Sequence, residues 1–228
     1  MSLSVFLPCR SGSKRVVGKN TKPFAGFSFG LVELKLSQLS DVEEIDKIYV
    51  STDDQTTIDF INQLNHTKIN VVNRPFELAQ DYTKTHHLCA HAAEICDTDH
   101  ILWTHVTSPL IGSSLYSDAI NTYYKKLLHG HDSLMSVSSI RKYCYYKGEK
   151  LNFGQEGNKW TATQDLEPLI EVNSGIFILS TIGYTTFNDR IGNNPYLFEI
   201  AAPYDMDVDW PIDFKMAEVA YKSLKHDR

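Results

Sequence analysis

The chain has 228 residues, of which 42% are hydrophobic and 22% are charged, and its formal net charge is −6 at pH 7. This composition is typical of a globular protein with a sizeable core, and the acidic balance argues against a general nucleic-acid-binding surface. No run is apolar enough for a signal peptide or for a membrane span of about 18 residues. The four cysteines are scattered without a C-x-x-C pair. We therefore expect reduced thiols, a cytoplasmic location, and no membrane or nucleic-acid partner.

Strand-like and helix-like segments alternate along residues 1–137. Strands are predicted over 3–7, 48–51, 69–72, 100–103 and 134–137, and helices over about 54–64, 83–96 and 113–128. This alternation is typical of right-handed βαβ crossovers and predicts an α/β fold with a mostly parallel sheet. Such sheets bind ligands beside the carboxyl ends of their strands, where the polar loops of this sequence lie.

Residues 139–171 break this rhythm. Aromatic residues are interleaved there with glycines, at Tyr143, Tyr145, Tyr146, Gly148, Phe153, Gly154, Gly157 and Trp160. The pattern predicts irregular hairpins with exposed aromatic rings, which usually mark an interface. A small local aromatic core that covers the sheet is the alternative interpretation.

A cationic loop follows the first predicted strand. Arg10, Lys14, Arg15 and Lys19 surround the small residues Ser11–Ser13. Small residues let backbone amides approach an anion closely, and the flanking cations neutralise several charges, so the loop predicts a triphosphate site. A solvated basic loop without a ligand is the alternative. The spacing fits neither a P-loop nor a dinucleotide-binding fingerprint.

The same loop resembles the signature of the acylneuraminate cytidylyltransferases, the family of the CMP-sialic acid synthetases, which reads approximately A-R-x-G-S-K-R-x-x-x-K-N-x-K-x-x-x-G. The matching positions are 9–15, Lys19, Asn20, Lys22 and Gly26. Three further segments follow the family in order. They are S-T-D at 51–53, R-P-x-E-L-A-x-D at 74–81 with Thr85, and D-x-D-x-x-x-D-F at 207–214.

The resemblance implies a single domain over residues 1–228 with a three-layer, Rossmann-like nucleotidyltransferase fold. It also implies that residues 139–171 form a dimerisation arm and that the protein is a homodimer. The implied activity is the transfer of CMP from CTP to a 2-keto-3-deoxy sugar acid, with release of pyrophosphate. Two alternatives stay open: a nucleotidyltransferase for another acceptor or nucleotide, and a non-catalytic nucleotide-binding module.

The resemblance also assigns the nucleotide-binding residues. These are Arg10, Ser11, Gly12, Ser13, Lys19, Asn20, Arg74 and Thr85. Arg10 and Lys19 are the catalytic cations, and Lys19 is expected to meet the charge that develops at the α-phosphorus. The planar donor group of Arg74 suits the acceptor edge of a pyrimidine, with pairing to Glu77 on a turn as the alternative.

Asp207 and Asp209 are the predicted metal ligands. In an extended D-x-D both carboxylates point to one side, and two such oxygens suit Mg²⁺. Asp209 is also a candidate to receive the proton of the attacking hydroxyl. Together with Asp205 and Asp213, the pair could alternatively be the acidic N-terminus of a helix.

The acceptor side departs from the family pattern. The expected acceptor-binding residues are His105, Thr107, Ser108, Gln164 and Asn173. His105 stands where the family has glutamine, and Ile111 and Thr163 stand where it has arginine. We therefore expect a less cationic pocket and poor use of N-acetylneuraminate. An acidic acceptor would then need another cation, for which the candidates are Arg141, Lys142 and protonated His105.

Overall fold

A seven-stranded sheet forms the centre of the fold and confirms the predicted α/β class. The structure is a computed structural model that describes residues 1–154 and 159–226. The strands of the sheet are β1 Leu3–Pro8, β2 Lys47–Thr52, β3 Ile69–Asn73, β4 His100–Thr104, β5 Ser133–Ile140, β8 Leu169–Ser180 and β9 Pro195–Glu199. Their order is β3-β2-β1-β4-β8-β5-β9, and within this sheet β8 runs antiparallel to both of its neighbours.

Helices cover both faces of the sheet and complete three layers. They are α1 Gly30–Ser40, α2 Gln55–Leu64, α3 Thr85–Ile95, α4 Ser113–Leu127, α5 Thr181–Thr186 and α6 Pro211–His226. Residues of α1, α2, α4 and α6 belong to one buried hydrophobic cluster, and residues of α3 and α5 belong to a second on the opposite face. The sheet therefore has an apolar core on each side, which explains its continuous buried strands.

Helices α2 and α4 begin at different kinds of N-cap residue. Asp54 caps α2, since its carboxylate accepts the backbone N–H of Thr56 at 3.3 Å and the hydroxyl of Thr57 at 2.6 Å. Gly112 is the N-cap residue of α4, and Ser113, where the predicted helix also begins, is the first helical residue.

Helix α1 has no counterpart among the sequence predictions. It begins at Gly30, where φ is +65° and a Cβ atom would lie 2.1 Å from the carbonyl oxygen of Lys22. Only glycine fits this close turn. The helix carries buried residues on most of its sides, so it lacks the amphipathic pattern by which helices are identified.

A bulge in β8 borders the carboxyl end of β4. The pairing of β5 with β8 shifts register between Met135 and Val137. The Ser136 hydroxyl donates to Asn173 Oδ1 at 2.5 Å, and the Asn173 amide donates to the Ser138 hydroxyl at 3.1 Å. The amide of Asn173 thus stabilises the bulge, which locates this predicted acceptor residue in the framework of the sheet.

A fully buried lysine supports the loop that follows β4. Lys35, in α1, donates from Nζ to the carbonyl oxygens of Ser108 and Ile111 at 2.9 and 3.2 Å and to the Tyr116 hydroxyl at 2.8 Å. Burial lowers the pKa of Lys35 well below its usual range. Its hydrogen-bond partners carry no charge, so these bonds and the face of the Tyr116 ring, whose centre lies 4.9 Å from Nζ, hold this side chain in the core.

Residues 139–171 extend from the β5–β8 end of the sheet. A short hairpin there joins β6 Tyr145–Tyr146 to β7 Glu149–Lys150. Phe153 is 3% exposed, with the rings of Tyr143, Tyr145 and Trp160 around it at 5.0–5.4 Å. The local aromatic core therefore exists, while the outer rings are exposed as predicted. Gly157 lies outside the described residues.

Two further expectations concern covalent and membrane features. Cys9, Cys89, Cys96 and Cys144 are free thiols, and the first three are buried. Within residues 1–154 and 159–226, no helix combines the length and the apolar character that crossing a bilayer requires.

Lys35→Met should lower the free energy of unfolding by about 2 kcal/mol, because it leaves buried carbonyl oxygens without a donor. Chemical denaturation of the variant measures this loss. Lys125→Met, on the exposed side of α4, is the matched control and should change stability by less than about 0.5 kcal/mol. A Lys35 variant as stable as the control would contradict the role of this network.

Candidate active site

A cavity of about 380 Å³ opens at the carboxyl ends of β1 and β4. It is lined by Pro8, Arg10, Ser13, Lys14, Arg15, Val16, Lys19, Asn20, Asp81, His105, Val106 and Thr107. Six residues predicted for the nucleotide or the acceptor are among them. Four cationic side chains and a single carboxylate line the cavity, so it favours an anionic ligand. A second cavity of about 430 Å³, beside α1, α4 and α6, is lined by none of the predicted site residues.

The cations of the first loop are paired with two acids from distant segments. Asp81 pairs with Arg10 at 2.6 Å and with Lys14. Asp209 pairs with Arg15 at 3.2 Å and with Lys19 at 3.5 Å. The side chains of Asp81 and Asp209 are 44% and 42% exposed. Surface ion pairs contribute little to stability and can exchange partners, so a bound polyanion could replace these carboxylates.

Asp53, in the S-T-D segment, holds the start of the cationic loop. Its carboxylate accepts the backbone N–H and the hydroxyl of Ser11, both at 2.7 Å. Although desolvation opposes ionisation, these two hydrogen bonds hold the pKa of Asp53 below its usual value. Both donors of Ser11 are used in this way, so Ser11 anchors the loop here. Gly12 follows with φ of +75°, in the left-handed region that favours glycine.

Lys19 connects this loop to the D-x-D segment near the other end of the chain. Its Nζ donates to the carbonyl oxygen of Val208 at 2.7 Å, and the Val208 N–H donates to the carbonyl oxygen of Thr107 at 2.8 Å. Val208 is fully buried, while Asp207 and Asp209 on either side of it reach the surface. The predicted alternation is therefore present, although this segment is not part of a strand.

Asp207, in the D-x-D pair, and Asp213, at the start of α6, have different surroundings. The pKa of Asp207 is raised, mainly because the surrounding protein desolvates its carboxylate and also because Asp209 carries a nearby negative charge. A hydrogen bond from Thr107 acts in the opposite direction. Asp213 accepts the backbone N–H groups of Asp209 and Trp210, at 3.1 and 2.7 Å. The helix-start interpretation thus applies to Asp213 rather than to the D-x-D pair.

The carboxylates of Asp207 and Asp209 suit a hard cation that also binds phosphate. Mg²⁺ takes one or two protein carboxylates and completes its shell with phosphate oxygens and water. The part of the chain that the structure describes contains no group of three or more His, Cys, Asp or Glu residues that could hold a metal alone. Asp207 and Asp209 fit a metal shared with a substrate.

Arg74 lies beneath the loops rather than on a turn. It is 4% exposed, and its Nε and Nη2 donate to the hydroxyl and carbonyl oxygens of Ser51 at 3.0 and 2.6 Å. Nε2 of His91 lies 2.9 Å from the same hydroxyl. The ion pairs of the described residues do not include one between Arg74 and Glu77. The alternative prediction, that Arg74 pairs with Glu77 on a turn, is therefore wrong.

His105 is a neutral residue, which corrects the expectation of a protonated one. Its Nε2 accepts the Trp103 indole N–H at 3.0 Å and lies 3.3 Å from Nη1 of Arg190. Burial, followed by the charge of Arg190, lowers its pKa to about 3. The cation on this side is therefore Arg190. Of the other candidates, Arg141 donates to the carbonyl oxygen of Leu166 in the arm, and Lys142 is exposed there.

Several predicted residues lie away from the cavity lining. Thr85 is exposed at the start of α3, and Gln164 is exposed in the arm. Ser108 is buried, with its carbonyl oxygen bonded to Lys35. Ile111 is 1% exposed and packs in the core, so it does not make the cavity wall more apolar.

Arg190 and Asp81 are the residues whose roles the sequence motifs did not indicate. Arg190 lies between α5 and β9, outside every recognised motif, and only the packing of that loop brings it to β4. Asp81 belongs to a recognised motif, but its pairing with the cationic loop depends on the distance between two strand ends. Sequence spacing carries no signal for either contact.

Stability should fall below pH 6.5 in a way that depends on His105. The pKa of His105 is lower in the folded protein than in the unfolded chain. The contribution of neutral His105 to the free energy of unfolding is therefore fully present above the pKa of the unfolded chain, and it is lost as the pH falls below that value. Between pH 7 and pH 5 the wild type should lose about 2 kcal/mol more than His105→Gln does. Urea denaturation of both proteins at the two pH values measures this difference, and equal losses would contradict the neutral state of His105.

Comparisons with known proteins agree with this architecture. The family model described as Cytidylyltransferase matches residues 4–218. The chain is 27% identical over 217 residues to an N-acylneuraminate cytidylyltransferase of Streptococcus agalactiae serotype III, covering 91% of this chain and 50% of the relative. It is 23% identical over 230 residues to a pseudaminic acid cytidylyltransferase of Campylobacter jejuni serotype O:2, covering 95% and 94%. The chain thus spans about half the length of the streptococcal relative.

Solved structures share the fold. A CMP:2-keto-3-deoxy-manno-octonic acid synthetase complexed with CTP superposes with a TM-score of 0.70 at 14% identity, covering 98% of this chain and 99% of that one. A 4-diphosphocytidyl-2C-methyl-D-erythritol synthase of Anaerococcus prevotii gives a TM-score of 0.63 at 13% identity, covering 97% and 96%. With the match over residues 4–218, the chain belongs to the cytidylyltransferase family.

Proposed function

We propose that this protein transfers CMP from CTP to a 2-keto-3-deoxy sugar acid and releases pyrophosphate. The observation that carries the proposal is the cavity at the ends of β1 and β4, in which Lys19 of the first loop contacts the segment that holds Asp207 and Asp209. Family membership and the names of the relatives from Streptococcus agalactiae and Campylobacter jejuni support CTP and a sugar acid as the substrates.

The nucleotide side of the proposal uses the cationic loop. Arg10, Lys14 and Arg15 bind the triphosphate after it displaces the carboxylates of Asp81 and Asp209. Lys19, with its Nζ held by Val208, keeps a fixed position and stabilises the charge that develops at the α-phosphorus. A positioned charge of this kind costs no reorganisation during the reaction, which suits a transfer that depends on positioning and electrostatics.

The chemical step needs no covalent intermediate with the protein. The anomeric 2-hydroxyl of the sugar acid attacks the α-phosphorus in line, the bond from that phosphorus to the bridging oxygen breaks, and pyrophosphate leaves. Asp207 and Asp209 would hold Mg²⁺, which when bound neutralises charge on the phosphate oxygens. Asp209 receives the proton of the attacking hydroxyl.

The assembly and the acceptor are further parts of the proposal. The exposed rings of Tyr145, Tyr146 and Trp160 support a homodimer formed through residues 139–171. Nine-carbon acids of the sialic and pseudaminic type are the proposed acceptors, since both curated relatives are named for such acids. The expectation of poor N-acetylneuraminate use was based on a less cationic pocket, and Arg190 adds a cation behind His105.

Pyrophosphate release with Mg²⁺ tests the function. With CTP, one or more of sialic, legionaminic, pseudaminic and octulosonic acid should support turnover, and ATP, GTP and UTP should each be at least about tenfold poorer. Turnover with another nucleotide would favour a different nucleotidyltransferase. Binding of CTP without turnover of any acid would favour a non-catalytic binding module, and either result would overturn the proposal.

Asp209→Asn should reduce turnover by roughly 100-fold or more while CTP affinity changes by less than about tenfold, because it removes a charge that acts in the transition state. Steady-state kinetics over a range of Mg²⁺ concentrations measure this, with CTP binding determined by calorimetry. Asp205→Asn, in the same acidic segment but outside the D-x-D pair, is the matched control and should behave like the wild type. Wild-type turnover in Asp209→Asn would remove this aspartate from the mechanism.

A further inference from the structure

A guanidinium group lies on a floor of buried aromatic rings behind His105. The Cζ atom of Arg190 lies 3.8 Å from the centre of the Phe177 ring and 5.1 Å from that of Trp103. Phe177 and Trp103 are at most 1% exposed. The π faces of these rings attract the cation, but the same surroundings exclude the water that would otherwise solvate it.

Among the described residues, no carboxylate lies within ion-pair distance of this guanidinium. Within residues 1–154 and 159–226, every ion pair closer than 4.0 Å is formed by another cation. The neighbouring Asp189 uses Oδ1 to accept the backbone N–H of Arg190 at 2.6 Å, and its charge acts on the guanidinium only at longer range. A partly desolvated cation without a counter-ion is a candidate for binding an anionic ligand.

His105 joins this cation to the cavity. Its Nε2 contacts the indole nitrogen of Trp103 and Nη1 of Arg190. Tryptophan and arginine can only donate, so Nε2 is the acceptor for both and carries no proton. The imidazole is therefore neutral with its proton on Nδ1, and His105 itself lines the cavity.

We propose that His105 and Arg190 together recognise the carboxylate of the acceptor substrate. His105 donates its Nδ1–H to the carboxylate, and Arg190 is a positioning residue that orients the imidazole and supplies positive charge behind it. This inference rests on the proposed function, since it concerns the acceptor of that reaction. Because an arginine carries the charge, recognition does not require a protonated histidine.

The other charged groups around His105 favour an anion at this place. The groups that lower the pKa of the imidazole come from four different parts of the chain: Arg190, Lys19, Arg74 and the buried Lys35. The titratable groups that face the guanidinium of Arg190 are the Cys89 thiol and the Tyr184 hydroxyl, both kept uncharged by burial, and the carboxylate of Asp189. A proton on His105 would add a further positive charge beside Arg190, Lys19 and Arg74, whereas a carboxylate there would be attracted by these three cations.

Nitrogen-15 NMR of histidine-labelled wild-type protein without ligand tests the tautomer. The His105 signals, identified by their loss in His105→Gln, should show a proton on Nδ1 and should not titrate between pH 8.5 and pH 5. A proton on Nε2, or titration near pH 6.5, would overturn the proposal. This readout needs no turnover, so it separates a failure of this inference from a failure of the proposed function.

Acceptor kinetics test the role of Arg190, with the sugar acid that gives the highest turnover. Arg190→Gln should raise the KM for this acid by about tenfold or more, with a small effect on the KM for CTP. The acceptor KM of the wild type should be flat between pH 6 and pH 8.5, whereas that of Arg190→Gln should fall toward acid pH as His105 gains a proton. The acceptor KM of Arg190→Lys should lie between those of the wild type and Arg190→Gln.

Lys125→Gln is the control, since it removes an exposed cation of α4 that does not line the cavity and should leave the acceptor KM unchanged. Thermal unfolding verifies that each variant is folded, and Arg190→Lys replaces Arg190→Gln if the latter is not. An acceptor KM for the folded Arg190 variants equal to that of the wild type would overturn the proposal. So would a wild-type KM that rises through pH 6.5, which would indicate a protonated histidine.

Discussion

Four parallel strands end at one edge of the sheet, and the candidate site depends on this constraint. Neighbouring β3, β2, β1 and β4 run in the same direction, so the loops that follow them meet although they are far apart in sequence. The cationic loop, Asp53, Arg74 and His105 each follow a different strand of this set. The crossover helices lie on the faces of the sheet and leave this edge open for a ligand.

Contacts between the two ends of the chain complete the site. The D-x-D segment lies against the loop after β4 through Val208, and Lys19 reaches the same peptide from the loop after β1. Asp209 and Asp81 balance the cations of the first loop. The loop is therefore held in shape before any phosphate arrives, by pairs weak enough to be exchanged.

Hydrogen bonds to uncharged acceptor atoms organise the surroundings of His105. Lys35 donates to two carbonyl oxygens of the loop after β4, and His105 in that loop accepts from Trp103 and Arg190. In the part of the chain that the structure describes, neither Lys35 nor Arg190 pairs with an acid. Burial penalises charge on histidine more readily than on arginine, so the cation of this region is the arginine and the histidine stays neutral.

From the sequence alone, local periodicity predicts β1 to β5 and α2 to α4, and motif spacing identifies the cationic loop and the D-x-D pair. The tertiary fold sets the antiparallel direction of β8, the start of α1 at Gly30 and the pairing of Arg74 with Ser51. It also decided the neutral state of His105 and the place of Arg190. These features depend on which groups meet across the fold, since pairing partners and desolvation set strand direction, hydrogen bonding and charge, and spacing along the chain does not encode them.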